Sequence, residues 1–110
     1  MIMKRKSRYV LVMSSRPIEM NSYYHYFLRA LSEQIGMLGL AKLDLSLAKS
    51  IGDNLFIFKM SRGEEKNFIL AISFIKRLRE GEEEIGFYSL LTSGTINSII
   101  RKYRARAGKA

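Results

Sequence analysis

The residues best suited to chemistry lie at the two ends of the sequence and around one short turn. Ser93-Gly94-Thr95 precedes a run that is first apolar and then cationic, INSIIRKYRARAGKA. Hydroxyls and amides ahead of a helix either hold a phosphate at the positive end of the helix dipole or cap the helix, and capping is the commoner use. The cations are segregated. Lys4, Arg5, Lys6 and Arg8 fall in the first eight residues, and Arg101, Lys102, Arg104, Arg106 and Lys109 in the last ten, with no acid in either stretch. These nine account for the net charge of +9, because the 10 remaining Lys and Arg are matched by 10 Asp and Glu. A neutral body with basic ends suits a polyanionic partner, since each phosphate contact by Lys or Arg releases a condensed counterion. A solvating tail is the bland alternative.

Little else points to chemistry. His25 is the only histidine and cysteine is absent, which removes thiol chemistry and disulfides and makes a zinc site a poor fit. One histidine sets up no Ser/His/Asp arrangement. Glu82-Glu83-Glu84 is a run of acids in a loop, a pattern that is usually solvated, and a divalent ion would need a ligand from elsewhere. No GxxxxGK[ST] segment occurs, so a nucleotide-binding P-loop is unsupported. Acid/base catalysis needs two groups at a set separation with shifted pKa values, and no such pair is visible. The chain reads as a protein without an active site of its own, binding no cofactor and no metal.

The elements that must position these residues follow from patterning. At 110 residues, 47% hydrophobic and 26% charged, the chain fits one globular domain: a basic arm over 1–8, a core over 9–93, and a basic helix with tail over 94–110. Its apolar runs are far shorter than the roughly 20 residues of a membrane helix, and MIMKRKSRYVLVMSS reads as a strand rather than a signal peptide, so a cytoplasmic protein is expected. RYVLVMS, residues 8 to 14, predicts a strand with Tyr9, Leu11 and Met13 on one face. Pro17 or Asn21 opens a helix burying Tyr24, Phe27, Leu28, Leu31 and Ile35, with Gly36 and Gly39 bracketing its end. LDLSLAK, residues 43 to 49, predicts a half-exposed strand with Leu43, Leu45 and Leu47 inward, joined through Gly52-Asp53-Asn54 to a third strand, NLFIFKM, over 54–60. Ser61 and Glu64 fit a capping box that starts a second helix, with Phe68, Ala71, Ile72, Ile75 and Leu78 on one face. IGFYSLL, residues 85 to 91, predicts the fourth strand.

The order β-α-β-β-α-β is that of an α+β ferredoxin-like sandwich, a four-stranded antiparallel sheet with two helices on one face. The third strand is apolar on both faces: Leu55 and Ile57 one way, Phe56, Phe58 and Met60 the other. Both faces then need cover. The final helix, with Ile96, Ile99, Ile100 and Tyr103 at i, i+3, i+4 and i+7, suits the second face, as a partner protein also would. It would then display Arg101, Lys102, Arg104 and Arg106. Phe56 and Phe58 have the i, i+2 spacing of RNA-stacking aromatics, but their flanks lack the RNP1 pattern and core packing is the better reading.

Several short segments together resemble the archaeal ribonuclease P protein component 2 family, which is related to a subunit family of the eukaryotic ribonuclease P and MRP particles. They are Lys6-Ser7-Arg8-Tyr9, Gly36-Met37-Leu38-Gly39-Leu40-Ala41, Ile57-Phe58-Lys59-Met60 followed by Arg62, Ala71-Ile72-Ser73-Phe74-Ile75 and, most specific, Thr92-Ser93-Gly94-Thr95-Ile96. The resemblance spans residues 6 to 104. Lys59 stands where an arginine is expected, keeping the charge but losing the bidentate fork, and Asn54 replaces a glycine. The resemblance implies a non-catalytic subunit of the ribonucleoprotein that removes the 5′ leader of precursor tRNA. The catalytic RNA, with its Mg2+, does the chemistry, and a larger TIM-barrel-like subunit is the protein partner; a homodimer is also compatible. It adds Lys59, Arg62, Ser93, Gly94 and Thr95 to the terminal cations as candidate RNA contacts. Two rivals stand beside it: a stand-alone single-strand RNA binder stacking bases on Phe56 and Phe58, and a small-molecule-binding domain on the same fold.

Overall fold

The continuous apolar run from Tyr9 to Met13 makes β1, Ser7–Ser14, one of the two central strands of a four-stranded sheet in the computed structural model, which describes residues 6–108. The elements run β1, α1 (Met20–Leu43), β2 (Ser46–Gly52), β3 (Leu55–Ser61), α2 (Glu65–Ser73), β4 (Phe87–Ser93) and α3 (Ile96–Ala107). The sheet order is β2-β3-β1-β4 with every pairing antiparallel, the ferredoxin-like arrangement the element order predicts.

Each face of the sheet carries its own core, because side chains alternate along a strand. Val10 and Val12 of β1, Phe56, Phe58 and Met60 of β3 and Phe87 of β4 face α1 and α2. Phe27 of α1 sits at the centre of this layer, 5.0 Å from the Phe58 ring in a stacked pair and 5.2 Å from Phe87 edge-on. Burying one such side chain is worth about 1.5–3 kcal/mol, and each favourable ring pair adds roughly 0.5–1.5 kcal/mol. On the opposite face Leu11 and Ile57 meet Ile99 of α3, with Tyr9, Leu55, Ile96, Ile100 and Tyr103 packed around them. The two apolar faces of β3 are therefore both covered, the second by α3.

Phe56 and Phe58 are 1% and 0% exposed and point into the helical layer. No base can stack on them in the folded protein, which corrects the single-strand-stacking alternative at those positions.

Other expectations are corrected at element boundaries. The first helix does break at Gly36, as its sequence predicts, with φ 75 and ψ 172 that a side chain would resist; the second helical segment that resumes beyond it and carries α1 to Leu43 was not foreseen. The second strand starts at Ser46, not Leu43, because Leu43 closes α1 and Asp44 turns the chain with φ 48. Leu43, Leu45 and Leu47 nevertheless all pack into the helical layer. The capping box is not formed: Ser61 is the last residue of β3, paired with Ser7, and its Oγ is buried without a hydrogen-bond partner. α2 has no side-chain cap and ends at Ser73, so Ile75 and Leu78 are buried from an irregular segment. β4 is displaced two residues from 85–91.

The segment 74–86 is tied down by Glu82. Its carboxylate accepts a hydrogen bond from the Tyr23 hydroxyl at 3.0 Å and lies 3.7 Å from Arg16 Nη2 and 3.5 Å from Arg79 Nη1. The acidic run is thus partly a clamp onto α1 and the β1–α1 loop. Among the described residues no helix is long and apolar enough to cross a membrane.

Candidate nucleic-acid interface

Antiparallel pairing gathers several predicted site residues at one end of the sheet. The start of β1 lies beside the end of β3, with Ser7 opposite Ser61, and the end of β4, with Tyr9 opposite Ser93. The Arg62 backbone N–H donates to the Lys6 carbonyl at 2.8 Å. Lys6, Arg8, Arg62 and the Ser93-Gly94-Thr95 turn therefore share one rim. Arg8 lies opposite Met60, on the α2 side of the sheet, and its Nε is 3.7 Å from Oε2 of Glu65 in the first turn of α2. That distance makes an ion pair but no hydrogen bond, and Nε has no hydrogen-bond partner. The Arg8 guanidinium also passes Gly94, where an added Cβ would stand 3.8 Å from Nη1. Nε is itself buried, so it is the outer Nη1 edge of the guanidinium, near Gly94 and the first turn of α3, that is placed to meet a phosphate oxygen.

The turn itself caps α3. Thr95 is the N-cap in extended geometry, its Oγ1 accepting from the Ser98 N–H at 3.1 Å, while Ser93 Oγ accepts from the Thr95 N–H at 3.5 Å. Of the two uses open to this segment, capping is the one occupied in the free chain. Ser93 is buried, whereas Gly94 and Thr95 are exposed.

α3 then crosses the second sheet face. Ile99 is fully buried, Ile96, Ile100 and Tyr103 are half-buried against the sheet, and Arg101, Lys102, Arg104 and Arg106 are all exposed. The helix contains no acid, and none of these four is paired with a carboxylate among the described residues. Arg104 and Arg106 lie in the last turn, where the helix dipole favours positive charge. Lys59 is exposed on the same sheet face as α3, between Tyr9 and Ser46 in the neighbouring strands. Lys4 and Arg5 lie outside the described residues, as does Lys109.

Two features were not foreseen. Glu65 faces Arg8 only because α2 starts one turn later than the local pattern suggests. Lys49, on edge strand β2, comes to line one cavity with Arg104, a proximity set by the path of α3 across the sheet. Neither has a local signal in the sequence. Among the described residues no group of three or more His, Asp or Glu is placed to hold a metal ion.

Large apolar side chains are exposed elsewhere: Met37 and Leu38 beyond the Gly36 break, at 76% and 83%, Leu70 on α2 and Phe74 just past its end, and Tyr88 on edge strand β4.

Comparison with known proteins agrees with this architecture. No curated protein matches the chain. A chain in the structure of yeast ribonuclease MRP has the same fold, with a TM-score of 0.68 over 100% of both chains at 11% sequence identity. The model of one protein family matches residues 4–104, a span that takes in the cations of the N-terminal arm, all four strands, the Ser-Gly-Thr turn, and Arg101, Lys102 and Arg104 of the C-terminal helix. The chain belongs to the Rpp14/Pop5 family of ribonuclease P/MRP protein subunits.

Proposed function

We propose that this chain is an RNA-binding, non-catalytic subunit of ribonuclease P that supports the catalytic RNA in removing the 5′ leader of precursor tRNA. The observation that carries the reading is the two-sided character of α3 in a chain of this family. Its isoleucines are locked on the sheet, and its outward surface is cationic without a single acid.

A cationic face on a rigid helix neutralises phosphates where RNA strands crowd together, and it does so without ordering a flexible tail. Lys6, Arg8, Arg62 and Lys59 extend the field over the sheet rim and the open part of the second face. Lys4 and Arg5 add to it from the preceding arm. Ser93, Gly94 and Thr95 set the start of α3 and leave the Gly94 and Thr95 surface open to a phosphate. The Mg2+ of the reaction belongs to the RNA, and the protein's part is to favour the folded ribozyme by screening charge. The exposed Leu70 and Phe74 pair and the Met37–Leu38 segment suit protein partners, the first of them a TIM-barrel-like subunit and the second a further copy of this chain. The particle acts on precursor tRNA in the cytoplasm.

The test is the salt dependence of binding to ribonuclease P RNA. Contact with about five phosphates gives a log–log slope of about −3.5 to −4.5, between the single-strand and duplex limits. Replacing Arg101, Lys102, Arg104 and Arg106 together with alanine should make the slope shallower by roughly 3, at about 0.7–0.9 for each phosphate no longer neutralised. A wild-type slope near zero, or a quadruple variant with an unchanged slope, sinks the electrostatic role assigned to α3.

A further inference from the structure

We propose that the notch between the C-terminal half of α3 and edge strand β2 binds one unpaired nucleotide, its base against the Tyr103 ring and its phosphate between Lys49 and Arg104. This rests on the RNA-binding reading above and names a subsite within it. The notch is a cavity of about 280 Å³ lined by Lys49, Ile51, Ile100, Tyr103 and Arg104. Two isoleucines make an apolar wall, one tyrosine supplies an aromatic surface, two cations flank them, and no acid lines the space. That is the combination single-stranded nucleic acid uses: a π-face for the base and positive charge for the backbone. The volume lies below the roughly 300–1,000 Å³ of pockets for drug-sized ligands, which suits a single ring system.

The position of Lys49 is set by a departure from regular pairing. Leu47 lies opposite Phe58, and in an unbroken strand Lys49 would follow it onto the α1 side. The register shifts between Leu47 and Lys49, so that Lys49 lies opposite Ile57, a residue of the core beneath α3. A bulge that re-aims one side chain in this way is a common device next to binding sites. Tyr103 is the other departure. The remaining inward positions of α3 are all isoleucine, and a fourth aliphatic would serve the lid alone. A paired base has both its faces stacked in the duplex and cannot enter, so the notch discriminates single strands from double strands.

The test compares a short oligouridylate, a blunt RNA duplex and polyglutamate as probes for the full-length protein and its Tyr103→Leu and Tyr103→Phe variants, with thermal melting of each variant to establish its fold. Loss of one base–aromatic stack should weaken oligouridylate binding by Tyr103→Leu about 5- to 150-fold, whereas Tyr103→Phe keeps the ring and the affinity. Duplex and polyglutamate binding should not change. Lys49→Ala should make the oligouridylate salt slope shallower by about 0.7. Unchanged oligouridylate affinity in Tyr103→Leu overturns the notch while leaving RNA binding by the cationic surface intact. An equal loss for polyglutamate overturns the nucleotide assignment, because a polyanion without bases would then use the same surface. Failure of the wild-type protein to bind either RNA overturns both this inference and the reading it rests on.

Discussion

If α3 is a docked lid, Ile99 is the side chain that holds it, and Ile99→Ala measures how firmly. Ile99 is 0% exposed and, with Leu11 and Ile57, makes up the fully buried centre of the second core. Truncating a buried isoleucine to alanine costs about 2–5 kcal/mol, from lost transfer energy plus the cavity left behind. The surrounding residues Tyr9, Ile96, Ile100 and Tyr103 are only half-buried and can settle into the space, so the cost should fall in the lower half of that range, about 3 kcal/mol. With an unfolding entropy of about 2.1 cal/mol/K per residue, a chain of this length loses about 4 °C of Tm per kcal/mol, or about 13 °C in all. Urea denaturation should show the midpoint falling at constant m, the pattern of lost stability without a change in the surface exposed on unfolding. Asn97→Ala, exposed on the same helix, is the control and should stay within about 0.5 kcal/mol. RNA affinity should fall with Ile99→Ala while the salt slope holds, because the four cations remain but their platform must be ordered on binding. A loss under about 1 kcal/mol would mean that α3 does not rest on the sheet in solution, since even Ile→Val in a packed core costs about 0.5–1.5 kcal/mol. The cationic display and the Tyr103 notch would go with it.

Two further predictions concern stability alone. Thr95→Ala removes the oxygen that takes the Ser98 N–H and should lower stability by about 1 kcal/mol without RNA present, whereas Thr95→Ser retains the cap; equal denaturation midpoints for the three proteins would assign the hydroxyl to a role other than capping. Burial raises the pKa of Tyr24 above its ordinary 10.0, and the hydroxyl donates to the Leu45 carbonyl. The neutral form is therefore favoured by folding: its contribution is complete below pH 10 and is lost as pH rises from there through the folded-state value. Tyr24→Phe should cost about 1 kcal/mol at neutral pH, and the gap to wild type should narrow in alkaline denaturation series. A gap that stays constant to alkaline pH would contradict the burial of that hydroxyl.

What could be read from the sequence divides by the range of the interaction that decides it. The two-sided character of β3 was legible, though its end at Ser61 was not, because Leu55 and Ile57 on one side and Phe56, Phe58 and Met60 on the other demand two covers, and the isoleucine spacing of α3 identifies the second. The cap at Thr95 was legible because it is made within four residues. Leu43-Asp44-Leu45-Ser46-Leu47 misled because a short alternating run fits period 2 even when its first member closes a helix. Ser61-x-x-Glu64 misled for the opposite reason: the local pattern is present, but pairing of Ser61 with Ser7 keeps that residue in the sheet. The cations of the two ends could be counted, yet counting does not place them. Arg8 meets Glu65 because β1 and the start of α2 come together at one rim, and Lys49 lines one cavity with Arg104 because a bulge in β2 turns one side chain toward a helix that begins 47 residues later. Contacts of that separation leave no periodicity behind. The general cationic surface was thus visible in composition, while the notch that would give it a preference for unpaired RNA depends on the fold.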